Sequence, residues 1–208
     1  MQPELKKALE NIEILKNLIQ TKFKDEKRRT ALLRMVDDLG EDYVIAPAST
    51  RTQYHGAYPG GLVEAGLKTV KLMGAMNKLY ESDLSTDSII VTGLFYDLGK
   101  TSIGDKPYFL PKNSDWHTKQ GIIYEVNPEV VDLPVFVRSL FILQSAGVTL
   151  TEDECYAIAS IKDRSRYGDA NTAIPNESFL ALALQHSSRV VARKGAWRTS
   201  LVQTNQPG

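Results

Sequence analysis

The chain predicts an all-α fold, a helical bundle with room for one short β-hairpin, and three observations carry that prediction. Leu5, Leu9, Ile12, Leu15 and Ile19 recur at the period of an amphipathic helix. Ile89-Ile90-Val91 lies in a stretch that is apolar on nearly every side, as a helix at the centre of a bundle requires. Start and stop residues flank the periodic stretches, with Ser85 before the central run and Gly40 and Gly99 after two of them.

Taken in order, the first helix runs to about Phe23 and the second from Ala31 to Leu39, where Gly40 stands in the usual place after a helix. Residues 42–58 are rich in small and polar residues and read as a loop, closed by Pro59-Gly60-Gly61. Helical spacing returns from Leu62 to Tyr80. Ser85 is an N-cap for the central helix, and Asp87 suits its positive end. Turn residues fill 101–115. Two more helices span Leu133–Ala146 and Glu152–Ile161, a polar loop follows over 163–175, and a last long helix covers Glu177–Ala192. Tyr108-Phe109-Leu110 and Ile122-Ile123-Tyr124 are the two segments able to form the hairpin. The domain reading is a helical extension over 1–45 packed on a core domain of 46–195, with an irregular tail over 196–208.

Composition narrows the function classes. The 208 residues suit one domain with a sizeable core. Lys plus Arg and Asp plus Glu number 25 each, so no global field draws the chain to nucleic acid or to an anionic membrane. The basic cluster Lys22–Arg29 is broken by Asp25 and Glu26 and reads as a solvated helix face. One cysteine, Cys155, rules out an internal disulfide and a cysteine-based zinc site, and its apolar neighbours predict a buried thiol. No apolar run approaches the roughly 18 residues of a spanning helix, and the first residues lack a signal-peptide pattern, so a cytoplasmic protein is expected. P-loop, dinucleotide, zinc-finger, EF-hand and nucleophile-elbow patterns are missing from the sequence.

Two segments carry the chemistry. The first is Tyr54-His55-Gly56-Ala57-Tyr58-Pro59-Gly60-Gly61-Leu62-Val63-Glu64-Ala65, a glycine turn opening a helix. The second is Phe95-Tyr96-Asp97-Leu98-Gly99-Lys100, which ends one. With Pro107–Pro111, Asp115-Trp116-His117, Gly121–Asn127, Arg138–Gln144 and the last helix through Arg193, they resemble the HD-domain superfamily of metal-dependent phosphohydrolases, in particular members common in bacteriophages. The likeness covers about residues 50–195. It implies a helical bundle in which the first helix supplies one metal-binding His, the next ends in His-Asp, and the last closes the site with an Asp.

At those implied positions the chain has Ala65, Tyr96, Asp97 and Ser188, or Arg189 if the last helix is aligned to keep His186. A divalent ion is held by imidazole and carboxylate groups that replace its hydration shell. Ala65 offers no donor atom, and Tyr96 would have to ionise from about pH 10. Without the metal, no water is activated near neutral pH. The resemblance therefore implies a catalytically inactive protein with no metal cofactor, acting as a scaffold or accessory subunit for a protein partner or larger assembly. Its location would be the host cytoplasm if phage-encoded. The first helix, outside the matched stretch, is a candidate docking element.

Two alternatives stay open. His55 and His117 could converge with Asp97, and with Asp163 or Glu64, on a remodelled site for manganese, iron or magnesium that hydrolyses nucleotide or nucleic-acid phosphates. Alternatively Lys100, Arg51, Arg138 and Lys112 could flank the old cleft and hold a nucleotide or phosphate without hydrolysis, as a metal-free sensor. In relatives the stretch at Lys162–Tyr167 often reads His-Asp-Gly-x-Tyr. Here Lys162 stands at the His and Arg164 at the Gly, so the stretch has lost its imidazole and gained positive charge.

Overall fold

The computed structural model describes residues 3–161 and 177–203, without the side chains of Thr118 and 194–203. Among them are eight α-helices and one two-stranded sheet. In chain order these are α1 (Pro3–Lys22), α2 (Glu26–Ile45), α3 (Gly61–Leu79), α4 (Thr86–Phe95), a 3-10 turn (Leu98–Lys100), β1 (Phe109–Pro111), α5 (Asp115–Lys119), β2 (Tyr124–Val126), α6 (Val135–Ser145), α7 (Glu152–Ala159) and α8 (Phe179–Gln203). The all-α expectation holds. The loop expected over 163–175 lies outside the described residues.

α4 is the axis of the bundle. Every residue from Ile89 to Phe95 is buried, and the helix packs against α1, α3, α7 and α8. Ser85 caps it by accepting the Ser88 N–H at 3.0 Å. The Asp87 carboxylate, in the first turn, accepts the backbone N–H groups of Lys24 (2.7 Å) and Asp25 (2.9 Å), tying the start of α2 to the start of α4. α3 lies close against α4 because glycines face each other's helices. A Cβ on Gly66 would meet the Leu94 carbonyl at 3.0 Å, and one on Gly93 would meet the Val70 side chain at 2.8 Å.

The N-terminal helices share this core. Ile12, Leu15 and Ile19 of α1 and Leu32, Met35 and Val36 of α2 belong to the same buried cluster as α3, α4, α7 and α8. Of the periodic apolar residues of α1, Ile12, Leu15 and Ile19 are therefore buried inside the molecule, whereas Leu9 stays 43% exposed.

Four boundaries differ from expectation. α2 starts at an Asp25 cap, five residues early, and Gly40 interrupts it at φ 53° rather than ending it. The turn after Gly40 carries Tyr43 into the core, so the loop begins only at Ala46. In the hairpin, Phe109 pairs with Val126 and Pro111 with Tyr124, so the second strand lies two residues beyond the expected one. Ile122 and Ile123 are engaged elsewhere: Arg51 bridges to Ile122, and the Ile123 N–H donates to the Thr50 carbonyl at 3.0 Å. α5, between the strands, was not foreseen. Finally α8 continues to Gln203 where an irregular tail is expected. A single glycine, Gly195, costs a helix only about 1 kcal/mol, and Pro207 comes too late to stop it sooner.

Candidate functional site

The implied ligand positions fall around the facing surfaces of α3 and α4 and on α8. The glycine turn delivers the chain into α3 through Gly60, whose left-handed φ of 81° brings it against Ala8 of α1. Ala65 follows one turn later, buried in a small apolar cluster with Ala48 and Val191 of α8. Thr69, one turn beyond, donates its hydroxyl to the Ala65 carbonyl at 2.9 Å. Tyr96, capping α4, is buried and its phenol hydrogen-bonds to Thr69. Burial, and then the charge of Asp97, raise the Tyr96 phenol well above its ordinary range, so it stays protonated. A neutral phenol is a poor metal ligand and a good filler of volume.

Asp97 is neutralised by its own chain. Lys100, three residues on across the 3-10 turn, places Nζ 2.7 Å from the Asp97 carboxylate and 2.9 Å from the Ala48 carbonyl. Both side chains are largely covered, at 15% and 17% exposure. Ser188 is half-buried on α8 and donates to the Gln185 carbonyl at 3.1 Å, within its own helix. In the alternative alignment, Arg189 and His186 are exposed.

Among the described residues, the groups expected to converge on a remodelled metal site are not brought together. The described residues contain no group of three or more His, Cys, Asp or Glu placed to hold an ion. His55 lies half-buried near Lys100, Asp97 and Lys68. Its pKa is lowered first by burial and next by Lys100, with Asp97 opposing. His117, on α5, instead bonds through Nδ1 to the hydroxyl of Ser114 just before that helix and stands edge-on to Trp116. Glu64 faces a cavity of about 370 Å³ between the first turns of α1 and the Tyr58–Gly60 turn. Its carboxylate is held by Lys7 at 2.7 Å and by Lys68. Burial works to raise the Glu64 pKa, but Lys68 and Lys7, together with the Tyr58 hydroxyl, outweigh it and lower the group. Asp163 and the rest of 162–167 lie outside the described residues.

The four cations expected to flank a phosphate are also mostly engaged. Lys100 is committed as above. Lys112 pairs with Glu125 across the hairpin. Arg138 is 2% exposed and structural: Nε donates to the Gly99 carbonyl at 2.8 Å, and a terminal nitrogen to that of Thr101 at 3.3 Å. Its guanidinium also lies 5.0 Å from the Tyr108 ring centre. Arg51 is exposed, and its backbone bridges to Ile122 just ahead of β2. Cys155 proves half-buried rather than buried, its thiol raised first by burial and then by Glu154.

Sequence reading missed Thr69, Ala48 and Val191. Thr69 could have been found, since the spacing of four puts it on the same helix face as Ala65. Ala48 and Val191 meet Ala65 from a loop and from α8, with no local signal. No family model, curated protein or solved structure matches the chain.

Proposed function

We propose that this chain is a catalytically inactive relative of the HD-domain phosphohydrolases, phage-encoded, that acts by binding a protein partner as a scaffold or accessory subunit. The observation that supports this reading most is the state of Asp97. The carboxylate that would face a metal is neutralised by Lys100, and Lys100 is pinned by the Ala48 carbonyl. Around it, the places for two further ligands are taken by Ala65 in an apolar cluster and by a protonated Tyr96 bonded to Thr69. A lysine there supplies the positive charge that a cation would otherwise bring. Three of the four cations that could take a substrate phosphate already have partners within the chain.

The test is metal content by elemental mass spectrometry after exposure to Mn²⁺, Fe²⁺ and Zn²⁺ and desalting. The unaltered protein is expected to retain well under one equivalent, and a variant combining Ala65→His, Tyr96→His and Ser188→Asp to gain close to one. Gain by that variant would support the family resemblance as well as the loss of the site. Stoichiometric metal in the unaltered protein, released by Asp97→Ala and accompanied by phosphatase activity, would overturn the reading.

A further inference from the structure

The cavity of about 370 Å³ between α1 and the turn into α3 has an ammonium group beside its most sheltered carboxylate, and that group is loosely held. The frame is firm. Gly60, at a left-handed φ of 81°, presses the turn against α1, where a Cβ would meet that of Ala8 at 2.5 Å. Glu64, in the first turn of α3, lines the cavity with a side chain only 12% exposed. Its Oε2 atom is sealed from solvent and takes no well-aligned hydrogen bond, and the Lys7 ammonium of α1 stands 2.7 Å away as an ion pair. Lys68 holds the other oxygen. Lys7 itself is 57% exposed on a flexible four-carbon stem, and an ion pair made by so open a partner contributes little and is readily left.

We infer that this cavity is a binding site for a small primary amine, whose ammonium takes the place of Lys7 against Glu64. Charge selects the class. Two carboxylates, Glu4 and Glu64, line the cavity against one cation, Lys7. An anion would face both carboxylates, and a neutral molecule that displaced Lys7 would leave a sheltered oxygen without its counter-charge. A primary ammonium brings three donors, enough for Glu64 Oε2 with the Asn11 carbonyl or Glu4 beside it. Pro3, Ala8 and Pro59 offer apolar wall to a short alkyl stem. The volume lies near the lower limit of ligand pockets, which restricts the occupant to a small molecule. Lys7 is then a tethered competitor, and the apparent affinity falls by the fraction of time it holds the site. The inference does not depend on whether the Asp97 region binds metal.

Titration of the isotope-labelled full chain with n-butylamine, which reproduces the side chain of lysine, tests it by nuclear magnetic resonance at constant ionic strength. Saturable shifts of the Gly60, Gly61 and Glu64 amides are expected at a millimolar dissociation constant, the scale for a ligand of so few heavy atoms. Lys7→Ala should bind about tenfold tighter, because the tethered competitor is gone. Glu64→Gln should bind at least about tenfold more weakly than the unaltered chain, having lost the charge on the acceptor. Should Glu64→Gln unfold, Lys7→Ala carries the test alone, since its exposed side chain lies outside the core. Nα-acetyl-lysine amide separates two sources of the same chemistry: tighter binding than butylamine assigns the amine to a partner's lysine, and equal or weaker binding to a free small molecule. No saturable shift in Lys7→Ala, or n-butanol binding as well as butylamine, would overturn the inference. So would a folded Glu64→Gln that binds butylamine like the unaltered protein.

Discussion

The two ends of α4 are both held by polar groups, yet in opposite styles. At the N-terminal end, Glu154 of α7 is fully buried and fully used. It accepts from Arg28 of α2 at 2.7 Å, from the Ser88 hydroxyl of α4 at 2.9 Å and from the Thr151 backbone at 2.9 Å, the last closing a capping box on α7. Three helices meet on one carboxylate. At the C-terminal end the inner half is just as closed: Ser139 of α6 donates to the Tyr96 carbonyl and accepts the Gly99 N–H, beside Arg138. The outer half is different. Asp97 and Lys100 offset one another's charge, and with half-buried His55 beside them they stay partly open. At the sealed end the polar groups are spent on joining helices, whereas Asp97, Lys100 and His55 at the other end keep contact with solvent.

That contrast can be broken most decisively at the sealed end. Glu154→Ala removes an acceptor from Arg28, Ser88 and Thr151 together, and strands a mostly covered guanidinium. Removing one partner of a buried pair costs about 3–5 kcal/mol, and the 12% exposure of Arg28 favours the lower figure. Glu154→Gln, which keeps an acceptor, should lose less. Guanidinium unfolding monitored by circular dichroism measures both, and a loss below about 1 kcal/mol for the alanine variant would show that this end is not sealed.

The inner half of the other end should rank second. Arg138→Met leaves the carbonyls of Gly99 and Thr101 without their donor, at about 2–3 kcal/mol. In a chain of this length that corresponds to a melting temperature lower by roughly 5–10 °C. Arg138→Lys should recover little, because one ammonium does not reproduce a planar fork that spans two carbonyls. Calorimetry that found the lysine variant as stable as the unaltered protein would instead assign Arg138 a role through charge alone.

The two ends also differ in how far the sequence disclosed them. Ser85 and Asp87 announce the start of α4 because capping is local chemistry, written within three residues. Ala65 and Tyr96 stand out as departures from a motif with fixed spacing. Lys100 and Asp97, three apart, were both visible, although the ammonium reads in sequence as a ligand for phosphate rather than for its neighbour. Arg28 and Glu154 are separated by 126 positions, and no periodicity relates them. Arg138 was misread for the same reason, since only packing reveals that a charged residue on an apolar helix points inward. Helix termini went astray where tertiary contacts decide them, as with Tyr43 drawn into the core beyond Gly40.

The open end makes the smallest prediction, and it depends on pH. Burial is the first cause that lowers the His55 pKa; Lys100 follows, then the weaker opposition of Asp97, then Lys68. The folded value is therefore below that of the unfolded chain, about 6.5. As pH falls through 6.5 the unfolded state takes up the proton first, so it binds more protons than the folded state and stability decreases. The contribution is fully present above that pH and is lost progressively below it, the reverse of a histidine that gains a carboxylate partner. His55→Gln does not titrate. Its unfolding free energy should fall less steeply than that of the unaltered chain between about pH 7 and 5, and the two should differ little at pH 8. Hydrogen exchange localises the effect: the Ala48 amide, which donates to the Gly56 carbonyl at 2.8 Å, should lose protection at acid pH in the unaltered chain only. If Ala48 stays protected while stability drops, the loss belongs to another group, and the loop over Asp97 and Lys100 is as firmly closed as the Glu154 end.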